Sequence, residues 1–488
     1  MPIVIGVDLG TTKITSIAVD TQTGVLVAIG SAANDGRVTA TADAARGHSE
    51  WDAKQIIAAS CRCLAQVAEQ LGNHVGEVIG IGVTGQQHGM LLVDSHLNPV
   101  SPLINWQDRR ALEMCPEGDK TWLQSAREAI GNEAWKRTGC WLQPGFMAVT
   151  LYELAKRRIV PEGARALFIM DYFTAVLTGA DPVTEPSCAG SSGVFHAPTR
   201  NWDDQAIKAL GLSRDWFPPI LEADQQAGTL TDEYANKTGL PAGIPIFAPI
   251  GDHQASFLGS VADPTNTVLV NVGTGAQVAM FTEGLDFVPP IELRPFPVKG
   301  NLLSNVGLAG GWSYQVLEQF FGDVGKQLFH VPSTEKLYNV MNELAAAIPS
   351  GADGLRCEPR FSGTRLDPTV RGSITGLSPQ NFTAGHLCRA ILEGMGRSLY
   401  EGFLAIQQIN RAKPTLLVAA GNGLRENPLL AEIVSRAFGL PMLFTRHREE
   451  AAFGAALVAC VGTGQFDSLE AAANRLIVTS PDPKFSVC

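Results

Sequence analysis

The sequence predicts an α/β protein of two similar domains that face each other across a cleft. Three observations carry that prediction. The chain has 488 residues, too many for one ordinary core and suited to two domains of roughly 200–250 residues. Apolar runs of strand length alternate with segments of helical periodicity in both halves. One plan also occurs twice: an apolar strand, a Gly/Thr turn and a second apolar strand. It stands at "VIGVDLGTTKITSIAVD" near the start and at "NTVLVNVGTGAQVAMFTEG" (266–284).

Residues 3–7 and 14–19 are β-rich runs around the Gly10–Lys13 turn and read as a hairpin. Residues 52–71 place apolar side chains at helical spacing, with Gly72 as the stop. The run "EVIGIGVTG" (77–85) is continuously apolar and reads as a strand buried on both faces. Residues 164–179 read as a helix and 206–250 as a Pro-punctuated loop region. Aligning the repeat sets Asn271 against Asp8, Gly273 against Gly10, Thr274 against Thr11 and Gly275 against Thr12. Further on, 383–410 and 427–438 read as helices and 415–421 as a strand. The small-residue stretch "AAFGAALVACVGTG" (451–464) reads as a helix able to pack closely on a sheet. A break near 245–250 gives domains of 1–248 and 249–488.

Apolar residues make up 45% and charged residues 17% of the chain, which supports buried cores and argues against disorder. The net charge of −11, spread without like-charge blocks, disfavours nucleic acid as a partner. No basic leader precedes "MPIVIGVDLG", and no run approaches the ~18–20 apolar residues of a membrane span, so no membrane partner is expected. Nine cysteines without a CxxC pair indicate neither a zinc cluster nor a disulfide framework, and a reducing, cytoplasmic setting follows.

The common phosphate motifs are missing. Gly325-Lys326 is followed by Gln327, so it is not a Walker A loop. Neither Gly273-x-Gly275 nor Gly421-x-Gly423 completes GxGxxG, and protein-kinase HRD and DFG signatures are absent. Asp8, just ahead of Gly10-Thr11-Thr12, would repel phosphate unless a cation sits between them. Asp252, in "APIGDHQAS", follows an apolar strand and a Gly. There it can cap a helix starting near Gln254, project into the cleft, or do both.

Taken in order, "DLGTTK", "GDHQAS" (251–256), "NVGTGAQ", "AAGNGLRENP" (419–428) and "EEAAFGAALVA" (449–459) resemble the FGGY family of carbohydrate kinases. That family belongs to the actin, hexokinase and Hsp70 ATPase superfamily. The resemblance implies two actin-like (ribonuclease H-like) domains with a catalytic cleft between them. "VTGQQHGMLLVD" (83–94) resembles the substrate-side segment of the xylulokinase branch, SGQMHG, and "NWQDRR" (105–110) its W-N-D-x-R segment. The Gln form of the latter, with "GDHQAS", is closer to sedoheptulokinases. The family's Lys-x-x-Trp core is replaced by "FMAVTLYELAKRR" (146–158).

The resemblance makes Asp252 the catalytic base and Asp8 the ligand of Mg²⁺. It assigns ATP to Gly10, Thr11, Thr12 and Lys13 and to Gly273, Thr274 and Gly275. Gly310 and Gly311 are expected nearby, and Gly421, Asn422, Gly423 and Asn427 form the adenosine pocket. The acceptor sugar falls to Gln87, His88, Trp106, Gln107, Asp108 and Asp252. Arg110 occupies the family's Arg position, Arg109 reads as a solvated extra, and Glu50 resembles a family glutamate. The expected activity is ATP- and Mg²⁺-dependent phosphorylation of a terminal hydroxyl of a ketose, sedoheptulose first and D-xylulose second, with other pentuloses or polyols behind them. A homodimer is left open. The rival of another class is a superfamily ATPase or sugar-binding protein that phosphorylates no sugar. A chaperone form would need a peptide-binding domain after the ATPase, and a repressor form a basic helix-turn-helix before Ile3. Neither is expected.

Overall fold

Ile3, Val4, Ile5, Val7 and Leu9 are all fully buried, so the first strand is covered on both faces. This strand, β1 (Ile3–Leu9), turns through Gly10–Thr12 into β2 (Lys13–Asp20) and then β3 (Leu26–Ala33) in the computed structural model of the chain. The structure describes residues 1–116, 118–331, 337–361, 363–364, 367 and 369–483. Helix α1 (Ala53–Leu71) packs on β2 and β3. Asp52 starts it by accepting the Lys54 and Gln55 amides, and Gly72 ends it at φ 52°. β4 (Val78–Gly85) then runs parallel to β1.

Short elements follow, including α2 (Pro186–Ala189), before the sheet is completed by β5 (Gln226–Thr229), β6 (Pro245–Phe247) and β7 (Ile250–Gly251). The first sheet has the order β5-β6-β4-β1-β2-β3, with β7 also beside β4. Helix α3 (Asp252–Ser260) leads to the second sheet. Its strands are β8 (Thr267–Val272), β9 (Ala276–Thr282), β10 (Glu292–Pro295) and β11 (Asn301–Leu308), with β12 (Leu416–Ala420), β13 (Met442–Thr445) and β14 (Thr479–Ser480). The order is β10-β11-β9-β8-β12-β13-β14.

The two sheets share one topology. β1 pairs antiparallel with β2, and β2 with β3, while β4 and β6 extend the sheet in parallel. β8, β9, β11, β12 and β13 repeat that arrangement strand for strand. The duplication read from two turns therefore runs through five strands on each side.

Helices α4 (Gly311–Leu328), α5 (Ala384–Asn410), α6 (Pro428–Phe438) and α7 (Glu450–Gly462) complete the second half. α7 is buried along most of its length and, although it follows β13, it beds on β1 and β4 of the first sheet. Glycine makes this possible: a Cβ on Gly6 would sit 1.9 Å from Ala452 O, and one on Gly82 1.8 Å from Ala455 O. α7 also crosses α3, where a Cβ on Gly454 would lie 2.0 Å from Ala255 O. Two helices in direct contact thus join the halves.

Three expectations change. The segment 164–179 is not one helix: Arg165–Leu167 pairs as a strand with Leu91–Val93, and the helix spans Ile169–Thr178. Asp171 accepts the Phe168 amide at 3.2 Å and fixes that later start. The loop-rich stretch 206–250 holds β5, β6 and a helix at Asp232–Thr238, capped by Thr231. The break expected at 248/249 lies inside the first sheet, which continues to Gly251, while the second begins at Thr267. The eight described cysteines are buried free thiols, and no described helix is long and apolar enough to cross a membrane.

Candidate active site

A cleft of about 900 Å³ separates the halves; Asp8, Gln87, His88, Trp106, Asp252, Asn271 and Gly275 line it together. They arrive from distant parts of the chain because both sheets end their central strands there. Asp8 and Asn271 are each the last residue but one of a central strand, β1 and β8.

Asp8 Oδ1 is buried without a hydrogen-bond partner. Burial, then the charges of Asp252 and Glu449, push its pKa from 3.8 to about 7, with Lys13 opposing them. A desolvated carboxylate with an open oxygen and two acidic neighbours suits a divalent cation. No three His, Cys, Asp or Glu converge as a ligand set among the described residues. Mg²⁺ needs no such set, since it usually keeps waters and takes one or two carboxylates with phosphate oxygens. The residues present fit that ion.

The first turn is braced from outside the hairpin. Asn34 donates from its backbone to Thr12 O and from Nδ2 to Gly10 O. Thr11 Oγ1 accepts Trp106 Nε1–H at 2.9 Å and meets Gln86 Oε1 at 3.2 Å. Thr12 is exposed, and Lys13 pairs with Glu449 at 2.8 Å. The second turn is held by α4, whose Gly311 and Trp312 amides donate to Gly273 O and Thr274 O, both at 2.9 Å. Gly310 packs on Gly275, so Gly310 and Gly311 shape the turn and their contacts are spent on it. Nothing lies within 4 Å of a Cβ built on Gly275, which leaves that turn's tip open to the cleft.

Gly421 has φ 80°, and a Cβ there or on Gly423 would collide with β8 at Val272 O. These glycines are required by backbone packing, whatever lies above them. Asn422 begins the short helix Asn422–Arg425. Asn427 caps α6 through the Leu430 amide and donates to Asn342.

Elsewhere in the cleft, His88 sits at φ 74°, an uncommon conformation held by its surroundings. Its amide donates to Ser191 Oγ, its Nδ1 meets Ser191 O at 2.9 Å, and its ring stacks on Phe146 at 4.3 Å. Gln87 Nε2 donates to Ser187 O at 2.8 Å. A Cβ on Gly251 would fall 2.1 Å from that nitrogen, so a larger residue before Asp252 would displace the Gln87 side chain. Trp106 is half exposed at the cleft edge. Asp108 is committed elsewhere: it accepts the Ser49 amide and three Arg110 donors, at 2.7–3.0 Å. Arg110 also pairs with Glu50 at 2.6 Å. Gln107 is exposed and does not line the cleft, whereas Arg109, read as solvated, does.

Asp252 is the first residue of α3 and not its cap, which is Gly251. Its Oδ1 accepts the His253 amide at 2.8 Å. Burial raises its pKa from 3.8 to about 6, against the His253 amide, Arg294 and the Gln87 amide. The result is a carboxylate more basic than usual and still ionised at neutral pH.

Sequence reading missed several residues here. Arg294 on the edge strand β10 is buried, pairs with Glu292 at 2.6 Å and approaches Gln87 Oε1 at 3.5 Å. No motif surrounds it. Glu449 and Glu450 stand in a quoted motif without a role; Glu450 pairs with buried Arg425 at 3.2 Å, and burial lifts its pKa to about 7. Ser187 and Ser191 carry no signal beyond a small-residue run.

Models of the FGGY family of carbohydrate kinases match residues 3–259, as its N-terminal domain, and 269–463, as its C-terminal domain. The chain is 27% identical over 494 residues to sedoheptulokinase from Homo sapiens, covering 94% of this chain and 97% of that one. It is 25% identical over 485 residues to xylulose kinase from Bacillus subtilis (strain 168), covering 98% and 91%. A solved gluconate kinase from Lactobacillus acidophilus shares the fold, with TM-score 0.85 and 22% identity over 98% of this chain and 92% of that one. Two sheets of one topology around a shared cleft make this a two-domain actin-like ATPase fold. With both halves matched in order, the chain belongs to the FGGY family of carbohydrate kinases and is an ATP-dependent enzyme of that kind.

Proposed function

We propose that the enzyme transfers the γ-phosphoryl group of ATP to a terminal hydroxyl of a ketose, with sedoheptulose the first acceptor and sedoheptulose 7-phosphate the product. The observation that carries this reading is Asp252, a partly buried carboxylate whose pKa is raised to about 6, in one cleft with Gln87 and His88. Similarity to sedoheptulokinase over nearly the whole chain supports the choice of sugar.

In this reading Gln87, His88 and the Trp106 face orient the acceptor. Asp252 takes the proton from the terminal hydroxyl as its oxygen bonds to the γ-phosphorus, and ADP leaves with the bridging oxygen. Lys13, Thr11 and Thr12 on one side and Gly273, Thr274 and Gly275 on the other hold the phosphates. Asp8 would hold Mg²⁺, which supplies charge neutralisation to the phosphates when bound. Asn422, Gly423 and Asn427 would border the nucleoside. Closure of the halves about α3 and α7 would exclude water. The buried free thiols suit a reducing, cytoplasmic setting.

D-Xylulose is the second acceptor, supported by the xylulose kinase similarity. A coupled ADP-release assay over sedoheptulose, D-xylulose and ribulose tests the reading. Sedoheptulose should give the highest kcat/KM. ADP release at one rate with and without every sugar would sink it.

A further inference from the structure

Among the described residues, Arg127 is a cation on the acceptor wall that forms no ion pair. Arg127, on the helix Trp122–Ile130, lines the cleft with Gln143, Phe146, His88 and Asp252. Its Nε and one Nη donate to Leu142 O at 3.0 and 2.7 Å, and its guanidinium lies 5.9 Å from the Trp141 ring. Nearby arginines are neutralised: Arg110 by Asp108 and Glu50, Arg294 by Glu292, Arg137 by Asp203. Arg127 forms no ion pair among the described residues, and its other Nη has no protein partner there.

Burial draws its pKa below the ordinary arginine value, as expected for a partly desolvated charge with no opposite charge beside it. Such a group is costly unless something arrives to accept its hydrogen bonds. Arg294 is the cation that acts on Asp252, so Arg127 serves another part of the cleft.

A guanidinium donates and never accepts. A hydroxyl placed against it would still need an acceptor for its own hydrogen. A keto or carboxylate oxygen would not. We infer that Arg127 is a specificity-determining residue that reads an acceptor-only oxygen on an sp² carbon of the sugar, away from the hydroxyl that is phosphorylated. That oxygen belongs to the keto group of an open-chain ketose or to the carboxylate of a sugar acid. The inference rests on the kinase reading above and names the substrate class of that site.

The test compares three acceptors of equal length at saturating ATP: sedoheptulose, the heptitol made by reducing it, and a heptonate. Wild type should favour sedoheptulose or the heptonate over the heptitol by about 10- to 100-fold in kcat/KM, the range of a hydrogen bond to a charged donor. Preference for sedoheptulose assigns the keto oxygen; preference for the heptonate assigns the carboxylate. Arg127→Met should bring that ratio close to one, with ATP binding, titrated without acceptor, moved by less than about twofold. Arg127→Lys, which keeps the charge, should give an intermediate ratio and serves if the Met variant fails to fold. Equal losses on all three acceptors would show that Arg127 only braces Leu142, and would overturn the inference. A wild-type enzyme without preference would overturn it too. If none of these three, and neither D-xylulose nor ribulose, raises ADP release, the proposed function itself fails.

Discussion

Lys13 Nζ lies 2.8 Å from Glu449 Oε1, an ion pair between the first hairpin and the residue just before α7, 436 positions away in sequence. The pair crosses the region where the phosphates are proposed to bind, so an arriving phosphate competes with Glu449 for Lys13. Lys13 is half exposed, which keeps the pair weak, on the order of 1 kcal/mol or less. Glu449→Gln should therefore tighten MgATP binding by about two- to fivefold, measured by titration calorimetry at low salt. Unchanged binding would mean that Glu449 does not compete for Lys13, and weaker binding that it assists the nucleotide.

Asp252→Asn keeps the shape of the side chain and removes the base. The variant should fold, melt no lower than wild type, and bind ATP within about twofold. Its kcat should fall by about 10³-fold, the scale of a lost general base. Turnover near wild type in the coupled assay would remove Asp252 from the role.

The pH dependence follows from the direction of the shift. With its pKa raised to about 6, Asp252 is ionised above that value and protonated below it. At saturating Mg²⁺, kcat/KM for the acceptor should fall about tenfold per pH unit below pH 6 and be level near pH 7–8. A limb near pH 4 would place the base elsewhere.

Asp8→Asn tests the metal reading and has a stability consequence of opposite sign. A carboxyl whose folded pKa, about 7, exceeds its unfolded value binds more protons when folded. Its stabilising share is present below the unfolded pKa and lost as pH rises through 7. At pH 8 without ligand, Asp8→Asn should thus melt higher than wild type, by about 2 °C or more, and the gain should shrink towards pH 5. Activity and its Mg²⁺ dependence should fall together. An Asn variant with normal Mg²⁺-dependent turnover would sink the assignment.

Gly454 lets α7 cross α3, the helix that begins with Asp252. A Cβ there would meet Ala255 O at 2.0 Å, a backbone atom that can yield only by moving α3. Gly454→Ala should cost about 1–3 kcal/mol or more in denaturant melts, and should lower kcat for the folded fraction. A variant as stable and active as wild type would show that the crossing is looser than its glycines imply.

Much of the fold was legible. The apolar run 77–85 was legible as a strand, and α1 and α6 were bounded by local chemistry, Asp52 and Gly72 for one, Asn427 and Pro428 for the other. The helix expected over 164–179 failed because Arg165–Leu167 is short and its pairing partner, Leu91–Val93, is remote in sequence. Asp8, Asp252, Gln87 and His88 could be nominated because each stands in a short ordered motif, and the structure brings all four to one cleft. Arg294 and Arg127 were not, because an arginine on a strand or an amphipathic helix carries no local sign of what it faces.

The chain alone therefore determined that two like halves exist, that Asp8 and Asn271 hold matching places in them, and that the first turn bears a charge the second lacks. Those are properties of order and periodicity, which a linear sequence carries. Tertiary structure decided the rest: that α7 returns to the first sheet, that Asp108 is consumed by Arg110 while Arg109 faces the cleft, and that Asp8 lies buried beside Asp252 and Glu449. Each of these depends on contacts between residues far apart in the chain. Burial and charge at such contacts, more than residue type, set which groups are free to act.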